Sequence, residues 1–189
     1  MSALREALLF LVSTIFDLYL FLLIVRVLLA YAGANYFDPF TQFIVRCTDF
    51  AVKPLRRIIP NVRGIELSTL VLMLGIEFVK YLLITTLSSS SLTMLGLFII
   101  AFADLLKIIL LAMFYAIIAQ VVLSWIQPGS PLNSILYKIN APIMRPIQRI
   151  CPVVGGFDIS PIPAMILLQV LIIIIVNPLM AVGLGVALG

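Results

Sequence analysis

Two long apolar runs separated by a polar, proline-punctuated stretch occur twice along this chain. The first run goes from Ala7 to about Tyr31 and the second from Ser68 to about Leu87. The third begins at Leu92 and continues to Ile126, and the fourth starts at Pro161 and carries no charge. A helix rises 1.5 Å per residue, so about 20 apolar residues cross a hydrocarbon core of about 30 Å. Three of the runs fit one crossing each. Leu92 to Ile126 would be about 52 Å long as one helix, which is too long for an ordinary crossing.

The stretches between the paired runs have another character. Asp38-Pro39 reads as an N-cap followed by proline at the first helical position. Phe40, Phe43, Ile44, Cys47 and Phe50 then recur at helical spacing, with Gln42, Arg46, Asp49 and Lys53 between them. Such a segment is too short and too polar to span, so it is expected in the headgroup plane. The later counterpart opens at Ser130-Pro131, with Leu132, Ile135, Leu136 and Ile139 on its apolar face. Prolines disfavour helical geometry in the residue before them, which predicts corners at Lys53 and Ile59.

These stretches are copies of one another. Lys53-Pro54-Leu55-Arg56-Arg57 through Ser68 returns ninety-two positions later as Arg145-Pro146-Ile147-Gln148-Arg149 through Ser160. At that fixed spacing Pro39, Pro54, Arg57, Ile58, Pro60, Val62, Gly64 and Ser68 all meet an identical residue. Lys53/Arg145, Arg46/Lys138 and Glu66/Asp158 match in kind. Unrelated apolar segments would not put three prolines and a glycine in register. Tyr31 matches Trp125 and Arg26 matches Gln120 at a spacing of ninety-four, which places the third crossing at about 101–125 and leaves 92–100 as an extension or interfacial turn.

The expected fold is an all-α membrane protein with four transmembrane helices arranged as two tandem parallel repeats. Residues 1–92 form the first repeat, with a span at 7–31, an interfacial helix at 38–53, a Pro/Arg-rich motif at 53–68 and a span at 68–87. Residues 93–189 form the second, with a span at 101–125, an interfacial helix at 130–145, a motif at 145–160 and a span at 161–188. Asn177-Pro178 should kink or end the last span, and Gly183 and Gly185 should loosen its tail.

Composition agrees. Only 11% of residues are charged against 63% hydrophobic, with a mean hydropathy of +1.26, where a soluble domain has about a quarter charged. The first run is too long for a signal-peptide core and is interrupted by Asp17 and Arg26, so it reads as a retained span. The chain has no histidine, and Cys47 and Cys151 form no CxxC and sit at non-equivalent repeat positions. No metal site, cofactor or disulfide framework is expected. No nucleophile–base pair or phosphate loop is present, so an enzyme is not expected.

An even number of crossings per repeat gives both repeats one orientation, related by a pseudo-twofold axis along the membrane normal. Both motifs then face one side. That side carries Arg46, Lys53, Arg56, Arg57, Arg63, Lys138, Arg145 and Arg149, against Arg5 on the other. The positive-inside rule puts the motif loops in the cytoplasm and both termini, with the serine loop 88–91, outside.

Two groups of residues carry candidate chemistry. Basic motif residues near an interface can hold orientation and attract anionic headgroups, or dock a protein partner; eight charges split between two loops make too thin a footprint for nucleic acid. The candidates for docking are Lys53, Pro54, Arg56, Arg57, Pro60, Gly64, Arg145, Pro146, Arg149, Pro152, Gly155, Gly156 and Asp158. The second group lies within the spans. Asp17, Glu77 and Lys80 fall at nearly one depth and should pair, with Asp104 and Lys107 nearer the outer surface. Gln169 is the second-repeat equivalent of Glu77. An ion or proton path and a helix-pairing network both fit these residues. Transport through so small a bundle would need a homo-oligomer. Arg26, near the end of its span, is expected to snorkel to the interface.

The motif and the four-span layout resemble the YggT/YlmG family of bacterial and plastid membrane proteins, over nearly the whole chain. The family pattern is basic-Pro-x-Arg-Arg-x-x-Pro-x-x-Gly-Gly-x-Asp-x-Ser-Pro. The first copy departs from it at Arg63, Glu66 and Thr69, the second only at Gln148. The resemblance implies a multi-pass protein of the bacterial inner membrane without known catalysis. It also implies links to osmotic tolerance, to division-associated loci and, in plastids, to cytochrome b6 maturation. The expected partners are the anionic headgroups of the bilayer and a homo-oligomer or membrane-protein partner.

Overall fold

The computed structural model describes residues 3–34, 39–59, 66–87, 93–127, 129–151 and 158–188. Every regular element among them is helical: α1 (Ala3–Ala32), α2 (Pro39–Arg56), α3 (Leu67–Leu87), α4 (Met94–Ile126), α5 (Pro131–Gln148), α6 (Pro161–Leu171), a π turn (Ile172–Val176) and α7 (Asn177–Leu188). Four helices are long and apolar enough to cross a membrane: α1, α3, α4 and the composite 161–188. Only 17–28% of the most apolar stretch of each span is buried by the rest of the chain, which leaves most of its apolar surface outward.

Local chemistry fixes the ends. Gly33 adopts a φ of +63°, which lets Ala34 N–H reach back to the Leu29 carbonyl at 3.0 Å and close α1. The Thr93 hydroxyl accepts from Gly96 N–H at the start of α4, and Ser130 accepts from Asn133 N–H at 3.1 Å before Pro131 opens α5. The cap expected of Asp38 falls outside the described residues.

Several expectations are corrected. Lys53 is not a corner: α2 runs through Pro54 to Arg56 and α5 through Pro142 and Pro146 to Gln148. A proline within the last turn of an amphipathic helix forfeits one backbone bond where solvent can replace it. The bend comes at Ile58 and Ile59, whose N–H groups both return to the Leu55 carbonyl. Of the two alternatives for 92–100, the extension holds for residues 94–100, which belong to an α4 continuous over 33 residues. The tail does not loosen either. Pro178 cannot donate to the carbonyl one turn back, and the preceding turn shifts register so that Asn177 N–H bonds the Ile172 carbonyl. The helix then resumes to Leu188.

Glycine brings the start of α4 close to the end of α7. A Cβ on Gly96 would overlap Ala187, and one on Gly183 would meet Ile100 at 2.9 Å, so α4 and α7 approach closely there. Thr93 ties the ends together, its N–H bonding the Ala187 carbonyl at 3.0 Å and its hydroxyl donating to the Val186 carbonyl at 2.8 Å.

The two repeats build the same core twice. In the first, Leu23, Val52 and Met73 are buried, with Leu72 and Ile76 packed against them. In the second, Ile117, Met144, Ala164 and Leu168 occupy the matching places. The arrangement of repeats, however, is open. α1 packs on α3, α3 on α4, and α4 on α6 and α7, but α6 makes no comparable contact with α1. The pseudo-twofold expectation is corrected on this point. The last span packs on α4 as α3 packs on α1, and the Gly96–Ala187 and Gly183–Ile100 contacts extend that pairing beyond the length of α3.

Candidate functional site

Two charged networks and a groove occupy the bundle. The first network lies at mid-span. Lys80 is buried on α3, and its Nζ sits 2.7 Å from Glu77 Oε2, 3.0 Å from Asp17 Oδ1 on α1 and 3.1 Å from Asp104 Oδ2 on α4. The Tyr81 hydroxyl donates to the same Asp104 oxygen at 2.9 Å. The i,i+3 spacing puts Glu77 and Lys80 on one face, which α1 and α4 flank. One ammonium therefore joins three helices through three carboxylates. Glu77 is fully buried, whereas Asp17 remains 56% exposed at the rim.

Asp104 enters this cluster instead of lying apart toward the outer surface, because α4 is longer than expected and crosses α3 at that level. Lys107 has no ion-pair partner among the described residues and lines the adjoining groove. Gln169 does not join: it is exposed on α6, since α6 lacks the flanking contact with α1 that would cover it. No three acidic or thiol groups among the described residues are arranged to hold a metal ion.

The second network sits at the motif end, and the sequence did not reveal it. Arg26 does not snorkel; it is 5% exposed. Its Nε donates to Glu66 Oε2 at 2.8 Å, and its Nη1 to Asp49 Oδ1 and Thr48 Oγ1, each at 2.8 Å. Thr69 also donates to Glu66 Oε2, at 2.9 Å. Arg56 approaches Glu66 Oε1 at 3.8 Å and Lys53 holds Asp49 Oδ2 at 2.9 Å. Arg26 thus fastens α2 and the start of α3 to α1. Burial pushes the Asp49 carboxyl up, but hydrogen bonds from Lys53 and Arg26 outweigh it and hold the group below the usual carboxylate range.

The second repeat builds this junction without the ion pairs. Asn140 Nδ2 donates to Gln120 Oε1 at 2.7 Å, in the places of Thr48 and Arg26. Asp158, in the place of Glu66, accepts from Gln148 Nε2 and from Ser160 N–H, each at 2.9 Å. Burial raises the Asp158 carboxyl, and hydrogen bonds from Ser160 and Gln148 bring it below its ordinary value. The signal for this junction was present in the co-occurrence of Arg26 with a motif acid at Glu66 and a polar Thr48-Asp49 step on the inner face of α2.

The remaining motif residues point outward. Arg46, Lys53, Arg56 and Arg57 are exposed, as are Lys138, Arg145, Pro146 and Arg149, and so is Pro54. Ile58 and Ile150, at equivalent positions beside Arg57 and Arg149, are each 82% exposed. Pro60, Gly64, Pro152, Gly155 and Gly156 lie outside the described residues. A groove of about 650 Å³ runs between α1 and α4 toward α5, walled mainly by apolar side chains, with Asp17, Asp104 and Lys107 among its lining.

The family model for CCB3/YggT matches the chain twice, over residues 5–87 and 99–179, one match per repeat. The chain belongs to the CCB3/YggT family. It is 37% identical over 164 residues to an uncharacterized protein in the proC 3′ region of Vibrio alginolyticus, covering 85% of this chain and 88% of that one. It is 33% identical over 176 residues to the uncharacterized protein YggT of Escherichia coli K12, covering 92% of each. An uncharacterized protein of Haemophilus influenzae is 36% identical over 160 residues, covering 83% of this chain and 84% of that one. No solved structure matches the chain.

Proposed function

We propose that this YggT-family membrane protein is a non-enzymatic accessory protein of the bacterial inner membrane whose paired basic motifs dock anionic lipid headgroups at the cytoplasmic face. The carrying observation is a matched exposure. Arg46/Lys138, Lys53/Arg145 and Arg57/Arg149 stand exposed at equivalent positions of both repeats, each set ending in an exposed isoleucine. The basic groups meet headgroup phosphates while Ile58 and Ile150 enter the acyl boundary. Arg26, by contrast, is consumed internally by Asp49 and Glu66. Roles in osmotic tolerance, division or assembly of membrane complexes fit a protein that gathers lipid or a partner at this face.

The test is the lipid retained by the purified chain from mixed bilayers, counted by native mass spectrometry. Each basic group near an anionic surface contributes about 1 kcal/mol, so Arg57→Ala with Arg149→Ala should lower retained anionic lipid by roughly 30-fold in affinity. Unchanged retention in that double variant refutes the reading.

A second reading, a small K⁺ or H⁺ channel or transporter component, is favoured by one observation: three carboxylates and a lysine at mid-span beside the groove. Ion flux through the reconstituted chain decides between them.

A further inference from the structure

The π turn of the last span creates an exposed seam along it. Asn177 N–H bonds the Ile172 carbonyl, five residues back instead of four, so the turn holds one residue more than an α-helix would. Ile166, Gln169, Ile173, Asn177, Ala181 and Leu184 are all exposed. Their successive spacings along the chain are three, four, four, four and three residues. Discounting the residue inserted between Ile173 and Asn177 gives three, four, three, four, three, the alternation by which two helices pair side by side. Without the π turn, Asn177 and the residues beyond it would stand about 100° round the helix from this seam.

The contacts within the chain do not use this seam. The last span meets α4 through other positions, among them Leu168, Val176 and Gly183, all buried. Lipid suits Ile166, Ile173, Ala181 and Leu184, but it does not suit the two amides. Gln169 and Asn177 lie about 12 and 24 Å along the helix from Pro161, within a hydrocarbon thickness of about 30 Å. Neither side chain has a hydrogen-bond partner among the described residues. Amide side chains in a span are stabilised by hydrogen bonding across a helix interface. An amide carries both donors and an acceptor, so it is complementary to another copy of itself. Two copies inserted in one orientation hold identical residues at identical depth. A twofold axis along the membrane normal therefore sets each amide against its own counterpart, and each apolar position of the seam against the same position.

We propose that the last spans of two copies pair in parallel along this seam, with Gln169 and Asn177 each hydrogen-bonding to its counterpart. The interface is isologous, so it closes at a dimer. The amides fix which layer meets which, as a polar residue in a paired-helix seam does. The pairing places the basic motifs of both copies on one side of the membrane, and it does not depend on the lipid docking proposed above.

The test uses the full chain carrying Cys47→Ser and Cys151→Ser, with one cysteine restored at Ile173→Cys and the protein oxidised in native membranes. A disulfide-linked product of twice the chain's mass is expected. Ile175→Cys, also exposed and at nearly the same depth but about half a turn round the helix, should give at least tenfold less. Equal yields from the two positions overturn the proposal, as does a product of any other mass or no product at all. A second measurement avoids cysteine chemistry. Native mass spectrometry of the unsubstituted chain should show a dimer, and Gln169→Leu with Asn177→Leu, both at exposed positions, should weaken that dimer at least tenfold. Monomer alone in the unsubstituted chain overturns the proposal, and so does a dimer that the double variant leaves unchanged.

Discussion

Replacing Lys80 with methionine keeps the side chain as far as about the lysine Cε and removes the one ammonium that three carboxylates share. Glu77 would lose most, because it is fully buried and neither of its oxygens accepts a hydrogen bond from another group. Removing one partner of a buried pair costs about 3–5 kcal/mol, since the remaining charge has no compensation. Glu77→Gln is milder. It leaves the ammonium with Asp17 at 3.0 Å and Asp104 at 3.1 Å, so the expected loss is below about 1.5 kcal/mol. The double variant Glu77→Gln, Lys80→Met should lose less than the sum of the singles by about 1–3 kcal/mol, because the groups touch. Reversible unfolding in mixed micelles, titrated with SDS and followed by far-ultraviolet circular dichroism, measures all three. Lys80→Met within about 0.5 kcal/mol of the native chain would refute the cluster as a joint between α1, α3 and α4.

Gly96→Ala should weaken the α4–α7 clasp by about 1–3 kcal/mol, while Gly185→Ala, whose Cβ meets nothing within 4 Å, should change the same unfolding midpoint by under about 0.5 kcal/mol. Asp49 has a lowered carboxyl pKa in the folded chain, so its contribution is present above the unfolded value of about 3.9 and is lost as pH falls through the lower folded value. Asp49→Asn should therefore reduce stability at neutral pH and flatten the acid limb of the pH–stability curve; an unchanged acid limb counts against the ion pair. A C-terminal reporter active only in the cytoplasm should stay silent, and an active one would invert the orientation.

The architecture was legible because it rests on patterns the bilayer enforces. Apolar length gave the spans, and three prolines and a glycine in register gave the duplication. The meeting of Asp17, Glu77 and Lys80 was legible from depth and i,i+3 spacing, since charges in hydrocarbon must find partners. What escaped depends on lateral packing. Arg26 looked free to snorkel because position along a helix does not say that Thr48, Asp49 and Glu66 surround it. Gln169 looked like a member of the polar cluster because equivalence to Glu77 assumes equivalent neighbours, and α6 lacks the contact with α1 that this would need. The firm tail through Gly183 was hidden for the same reason: a glycine in sequence signals freedom or close approach, and only Ile100 and Ala187 decide which.

The central claim is that the mid-span charges join helices and that function resides at the paired basic motifs. Its most direct test is flux of K⁺ and of H⁺, measured separately, across liposomes holding the purified chain beside Glu77→Gln and Lys80→Met. The expected result is no flux above empty liposomes for any of the three. Flux in the unsubstituted chain that falls in both variants would contradict the claim and make the buried charges the working site.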